Sequence, residues 1–174
     1  MLVLDDYLDR HLFLSMKAAL QAASFPWEQS QILSEKAAAH LAPGDNHQQV
    51  HGFYLKKPGI FLRSDQLWII MPIIDKLNPI SLIKAKINRS PRKEYHIEYG
   101  LHVDTRRRGA TTAIFYLNNN NGYTLFDDGA KVLSVENRMV LFDSTRLHTG
   151  ASCTDADDRL VLNINMVLAA DSAR

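Results

Sequence analysis

Residues 159–168 of the chain read RLVLNINMVL and alternate without interruption. Leu160, Leu162, Ile164, Met166 and Leu168 share one face, and Arg159, Val161, Asn163, Asn165 and Val167 share the other. Successive strand side chains point to opposite sides of a sheet, so the two sets meet different surroundings. The first face needs an apolar core. The second carries three polar side chains, which an interior accepts only where they bind one another or a ligand. A sheet with a core on one side and a polar-lined cavity on the other satisfies both faces.

The stretches before it fit such a sheet. Short alternating segments at 81–88, 95–103, 111–118, 123–126, 131–134 and 138–142 are separated by turn residues, among them 118–122 and Asp127-Asp128-Gly129. That spacing predicts an antiparallel sandwich or barrel. Ahead of residue 80 the pattern is helical. Leu8, Leu12, Met16, Ala19 and Ala23 recur at helical spacing over 5–23, with Asp9, Arg10, Lys17 and Gln21 opposite. Phe25-Pro26-Trp27 ends this helix, 31–41 suggests a second, and Pro43-Gly44-Asp45-Asn46 makes a turn. Ser64 is placed to cap a third helix reaching about Leu77, with Pro72 kinking it or shifting its start. The expected class is α+β, a single domain over 1–174. Its residues 1–80 are mainly helical support packed on one sheet, and 81–170 form the β core.

Twenty basic and nineteen acidic residues leave the chain near neutral, which gives no global electrostatic case for nucleic acid or an anionic membrane. The single cysteine, Cys153, rules out an intramolecular disulfide and fits a reducing, cytoplasmic setting. The N-terminus has two early aspartates and no basic region ahead of an apolar stretch, so it is not read as a secretion signal. The longest apolar run, 67–74, is broken by Pro72 and is far too short to span a bilayer.

Against this background His102-Val103-Asp104 stands out. On a strand, His102 and Asp104 project from the same side and can share one ion; His148 then completes two imidazoles and one carboxylate, a set that leaves coordination positions open. His96-Ile97-Glu98 offers the same pattern on the same segment, and its parity does not separate the two pairs. His102 and Asp104 are preferred because they end the segment beside an arginine-rich loop, where a cavity mouth is expected. A hairpin between His148 and the last strand brings Arg159 near the imidazole, where its planar fork suits one end of a short diacid. A surface hydrogen-bonded pair at His102 and Asp104, and an Arg159 that extends to solvent, remain open on spacing alone.

In order and interval, His102-x-Asp104, His148 and Arg159 resemble the 2-oxoglutarate and Fe(II)-dependent oxygenases, in particular the prolyl-4-hydroxylase-like branch and its small phage and marine-bacterial members. TTAIFYLN (111–118), NGYTLFDDGAKV leading into RMVLFDS, and HTG followed by RLVLNIN carry the resemblance over roughly 81–168. The absence of serine two residues after Arg159 separates the chain from the penicillin-synthase-like branch. The resemblance implies a double-stranded β-helix (jelly-roll, cupin-like) fold with His102, Asp104 and His148 as iron ligands. It implies that Arg159 grips the distal carboxylate of 2-oxoglutarate with help from the Tyr116 hydroxyl, and that Asn163 and Asn88 lie near the co-substrate. The implied cofactors are Fe(II), 2-oxoglutarate and O2. The implied reaction hydroxylates a C–H bond with release of succinate and CO2; halogenating relatives lack the carboxylate ligand that Asp104 supplies.

The substrate is not written in the sequence: a peptidyl residue, proline among them, and a small molecule such as a free amino acid both fit. Arg106-Arg107-Arg108, with Arg89, Arg92 and Lys93, marks a basic border that suits an acidic ligand or simply faces solvent. No aromatic-basic alternation supports nucleic acid. A non-catalytic cupin-like β-barrel module holding a metal is the competing reading, and a carboxylate clamp such as Arg159 is what such a module has no use for.

Overall fold

A computed structural model describes residues 1–169. Residue 170, at the end of the expected β core, lies outside them. Among the described residues, eleven strands form two antiparallel sheets. The larger contains β1 (Leu2–Leu4), β9 (Met139–Asp143), β6 (Thr111–Tyr116), β11 (Asp158–Val167), β5 (Ser81–Pro91), β3 (His47–Lys57) and β2 (Glu28–Gln31) in that spatial order, with β4 (Ile60–Arg63) also paired to β3. The smaller runs β10 (His148–Gly150), β7 (Tyr123–Phe126), β8 (Lys131–Leu133).

The strand β11 sits where its two faces demand. Leu160, Leu162, Ile164 and Met166 enter a core shared with Ala85, Ile87, Phe115 and Met139 of the same sheet, and with the helices. Val161 faces the other way, into a second cluster with Tyr116, Phe126, Val132, Val140 and Phe142 between the sheets. Arg159, Val161 and Asn163 of β11 line the cavity left beside that cluster.

Helix α1 (Arg10–Gln21) starts later than its sequence pattern predicts, because Asp9 caps it by accepting from the His11 and Leu12 amides. Its buried stripe is Phe13, Met16 and Leu20, whereas Leu12 is exposed. The aromatic edge of Phe13 against Phe115, 6.0 Å between centroids, fixes this rotation. Ser64 caps the next element as expected, accepting from the Gln66 amide. Pro72 splits that element: a 3-10 segment covers Asp65–Ile70 and helix α2 begins at Met71, so proline falls in its first turn where no amide is missed.

Two expectations fail. Residues 1–80 are not mainly helical, since β1 to β4 all lie there and β3 is an internal strand between β5 and β2. Residues 31–41 form no helix: Gln31 ends β2 and 32–41 run through bends and turns. The Asn46 side chain takes the backbone of Leu33, accepting from its amide at 2.7 Å and donating to its carbonyl at 2.9 Å, which holds the segment out of helical geometry.

Beyond the pairing of β1 with β9, one residue fastens the chain that follows. Asn137, at φ +62°, accepts from the Leu8 amide at 2.9 Å and donates to its carbonyl at 2.8 Å, while its own carbonyl receives the Tyr7 amide. Asn137→Ala strands two buried backbone groups and forces alanine into left-handed backbone, so urea denaturation should show a loss of about 3 kcal/mol. Asn137→Gly relieves only the backbone part, and an alanine variant as stable as the parent would contradict this role.

Candidate metal centre and its cavity

Residues 95–103 do not form the predicted strand. Gly100 adopts φ +88° and breaks the ladder, leaving isolated bridges from Glu98 to Ala151 and from His102 to His148. The second bridge places the site: His102 and His148 exchange both backbone hydrogen bonds, at 2.9 and 3.0 Å, so one imidazole is carried beside the other. His148 opens β10, after a turn over 144–147 that separates it from β9. The rival pair is used elsewhere: His96 Nδ1 donates to the Ser152 carbonyl, and Glu98 accepts from the Tyr123 hydroxyl.

Among the described residues, His102, Asp104 and His148 are the group able to hold a metal ion, with one ligand atom from each lying within 4.8 Å of the others. His102 Nε2 is 3.9 Å from Asp104 Oδ1, and His148 Nε2 is 3.6 Å from Asp104 Oδ2. Donors about 2.1 Å from a shared ion sit about 3 Å apart, so these two pairs would close by roughly 1 Å, and the widest separation in the set, up to 4.8 Å, by roughly 2 Å. His102 is the exposed member and supplies that movement at little packing cost; Asp104 and His148 are enclosed.

Each ligand is oriented from behind. A carbonyl can only accept, so His148 Nδ1 carries the proton it gives to the Arg146 carbonyl at 3.0 Å, and His102 Nδ1 the one it gives to Gly100 at 3.3 Å. Both Nε2 lone pairs are thereby turned to the site. Burial lowers the His148 pKa, keeping the imidazole neutral near pH 7 so that no proton competes with a metal there. For Asp104, burial alone would raise the pKa. His148 and donors from Asn163, Thr112 and Asn165 outweigh it and hold the carboxyl below its ordinary value. All three hydrogen bonds, at 3.1, 2.9 and 3.1 Å, go to Oδ2, which leaves Oδ1 for an ion.

Arg159 lies at the other end of the same wall and is 8% exposed. It donates from Nε to Ser134 Oγ and from Nη2 to the Tyr123 carbonyl and Thr124 Oγ1. No carboxylate pairs with it among the described residues. Burial lowers its pKa, yet a guanidinium keeps its charge, so the cavity holds a desolvated cation with Nη1 still to be satisfied. Gly122 makes room for it: a Cβ there would come within 2.7 Å of Arg159 Cδ and 3.0 Å of the Ala151 carbonyl.

The cavity has a volume of about 680 Å³, and Asn88, His102, Asp104, His148, Arg159 and Asn163 all line it. Tyr116 does not. It is fully buried beneath the wall, its ring 5.6 Å from the Arg159 guanidinium carbon, and its hydroxyl donates to Thr124 Oγ1 at 2.7 Å; Thr124 is what reaches the cavity. Asn163 is spent on Asp104 through its amide nitrogen, while its Oδ1 is buried without a hydrogen-bond partner. Sequence reading missed Asn165 and Thr112 behind Asp104, Ser134 and Thr124 around Arg159, and Lys84 and Lys86 on β5. Asn165 was visible on the polar face of β11; the others carry no signal without the strand register.

No family model and no curated protein matches the sequence. Solved structures do. An oxidoreductase of the 2OG-Fe(II) oxygenase family from Burkholderia pseudomallei superposes with a TM-score of 0.65 at 13% identity, over 95% of this chain and 84% of that one. A prolyl-4-hydroxylase from Pseudomonas putida gives 0.57 at 16% identity, over 95% and 91%. The chain has the fold of 2OG-Fe(II) oxygenases. The non-heme α-ketoglutarate-dependent epimerase SnoN from nogalamycin biosynthesis shares it too, at a TM-score of 0.62 and 16% identity over 95% and 78%. The expected double-stranded β-helix is thus present, and the fold by itself hosts more than one outcome at the substrate.

Proposed function

We propose that the chain is an Fe(II)- and 2-oxoglutarate-dependent dioxygenase that hydroxylates a C–H bond of a small molecule or peptidyl residue. One observation carries the reading: a three-donor metal set with open positions and a buried, unpaired arginine face the same cavity. A metal held only for structure needs no desolvated cation nearby, which counts against the non-catalytic cupin-like alternative. The donor set fits iron, two neutral imidazoles and one carboxylate. Bound there, iron and the co-substrate would supply the oxidising chemistry, coupling oxidative decarboxylation of 2-oxoglutarate to attack on the substrate.

The protein's own part is placement. His102, Asp104 and His148 would hold the ion on one side only, and Arg159 would neutralise the far carboxylate of the co-substrate. Tyr116 would act through Thr124, fixing the hydroxyl that meets the guanidinium. Asn88 and the free Asn163 Oδ1 would face the space between clamp and metal. No helix among the described residues is long and apolar enough to cross a membrane. A cytoplasmic setting is part of the proposal.

The test is succinate formation from 2-oxoglutarate by iron-loaded protein, with omission of Fe(II) or O2 abolishing it. A mass search for products gaining one oxygen, over peptides and free amino acids, separates hydroxylation from an epimerase-type outcome. Protein that binds iron but neither binds nor turns over 2-oxoglutarate would overturn the assignment.

A further inference from the structure

The wall formed by β5 carries a second positive patch. Lys84, Lys86, Asn88 and Ser90 alternate onto its cavity face. In register, Lys86 lies beside Asn163 and Lys84 beside Asn165, the two residues whose amides hold Asp104, whereas Arg159 pairs with Ser90. Neither lysine has a carboxylate within ion-pairing distance among the described residues. Both are partly enclosed. Burial, reinforced by Lys84, pushes Lys86 down to about 8, which still leaves it mostly charged at neutral pH.

Charge balance then points the same way. Among the described residues that line the cavity, Asp104 is the one acidic side chain. A divalent ion, Arg159 and both lysines would face that carboxylate and a dicarboxylate co-substrate, and two positive charges stay unmatched. A co-substrate whose two carboxylates go to Arg159 and to the metal would leave none for the lysines.

Resting on the function proposed above, we infer that Lys84 and Lys86 form a substrate-anion subsite: the molecule oxidised here is small and carries a carboxylate or phosphate that these ammonium groups hold beside the metal. A cavity of about 680 Å³ is the size of a small-molecule site. Ile32, Leu33, Ser34, Ala37 and His40 of the turn segment line the same cavity, so the space is bounded on the substrate side as well. Arg106, Arg107 and Arg108 are exposed on the loop that follows Asp104; they do not line the cavity but add a field of the same sign.

The test uses Mn(II)-loaded protein saturated with 2-oxoglutarate without oxygen. It is titrated calorimetrically with short-chain carboxylates, their primary amides and the corresponding phosphate monoesters. Acids or phosphates should bind, with amides weaker by about tenfold or more, the loss of a hydrogen-bonded charge. Which of the two anions binds identifies its chemistry. The K84Q/K86Q double variant should lose the discrimination while keeping metal content and 2-oxoglutarate affinity, and K84R/K86R should retain it. Equal binding of acids and amides, binding of neither, or unchanged anion binding in K84Q/K86Q overturns the inference. So does a loss of 2-oxoglutarate affinity in that variant, since the lysines would then serve the co-substrate. If 2-oxoglutarate itself does not bind, the dioxygenase reading fails, and the same titrations on the Mn(II) protein alone still decide whether the lysines hold an anion.

Discussion

Asp104→Ala should abolish iron binding at equilibrium. Its Oδ1 is the one anionic donor in the set, and its removal leaves two neutral imidazoles, one of them exposed. Loss of an outer partner of a metal ligand costs about 10–100-fold in affinity, and loss of the ligand itself should exceed that. Metal content after dialysis, read by atomic spectroscopy and by competition with a chromogenic chelator, reports the change. Asp104→Asn serves as the folding control, because an amide oxygen can still accept from Asn163, Asn165 and Thr112 while the charge is gone. Iron retained at parental affinity in Asp104→Ala would remove Asp104 from the ligand set.

Arg159→Met should do the opposite: iron stays and 2-oxoglutarate is lost. Removing one side of a buried, hydrogen-bonded charge pair costs about 2–5 kcal/mol, roughly 30- to 5000-fold in Kd. In the free protein, relief of a desolvated charge is set against the loss of the bonds to Ser134 and Thr124, so stability should change little. Calorimetric titration of 2-oxoglutarate into Mn(II)-loaded protein, with thermal unfolding of the metal-free form, measures both. Equal loss of iron in the Arg159 and Asp104 variants would sink the division of labour between clamp and metal ligands.

How far these roles could be read in advance depends on the kind of information each one uses. The two faces of β11 were legible because alternation is local, and Arg159 and Asn163 came with them. His102 and Asp104 were found for a partly wrong reason: Gly100 breaks the expected strand, and a single backbone bridge to His148 does the positioning. Residues 31–41 look helical by composition, yet Asn46 claims the Leu33 backbone from thirteen residues away. The strands β2 and β3 are rich in glutamine and histidine and lack a clean apolar rhythm, so they left little trace. Thr112 and Asn165 stabilise Asp104 only because β6 and β11 pair in one register, and Lys86 meets Asn163 only through the register of β5.

The unequal exposure of the three donors bears on how the centre acquires its metal. Asp104 and His148 are enclosed and already oriented in the folded chain, while His102 lies at the surface on a short irregular segment. An ion can therefore enter and leave by movement of one side chain, with the two sheets intact. Loading becomes an exchange reaction of a finished protein and not a step in folding. Which divalent ion such a site holds would then be governed by supply and by the intrinsic order of metal affinities, so copper or zinc in excess should displace iron without unfolding the protein.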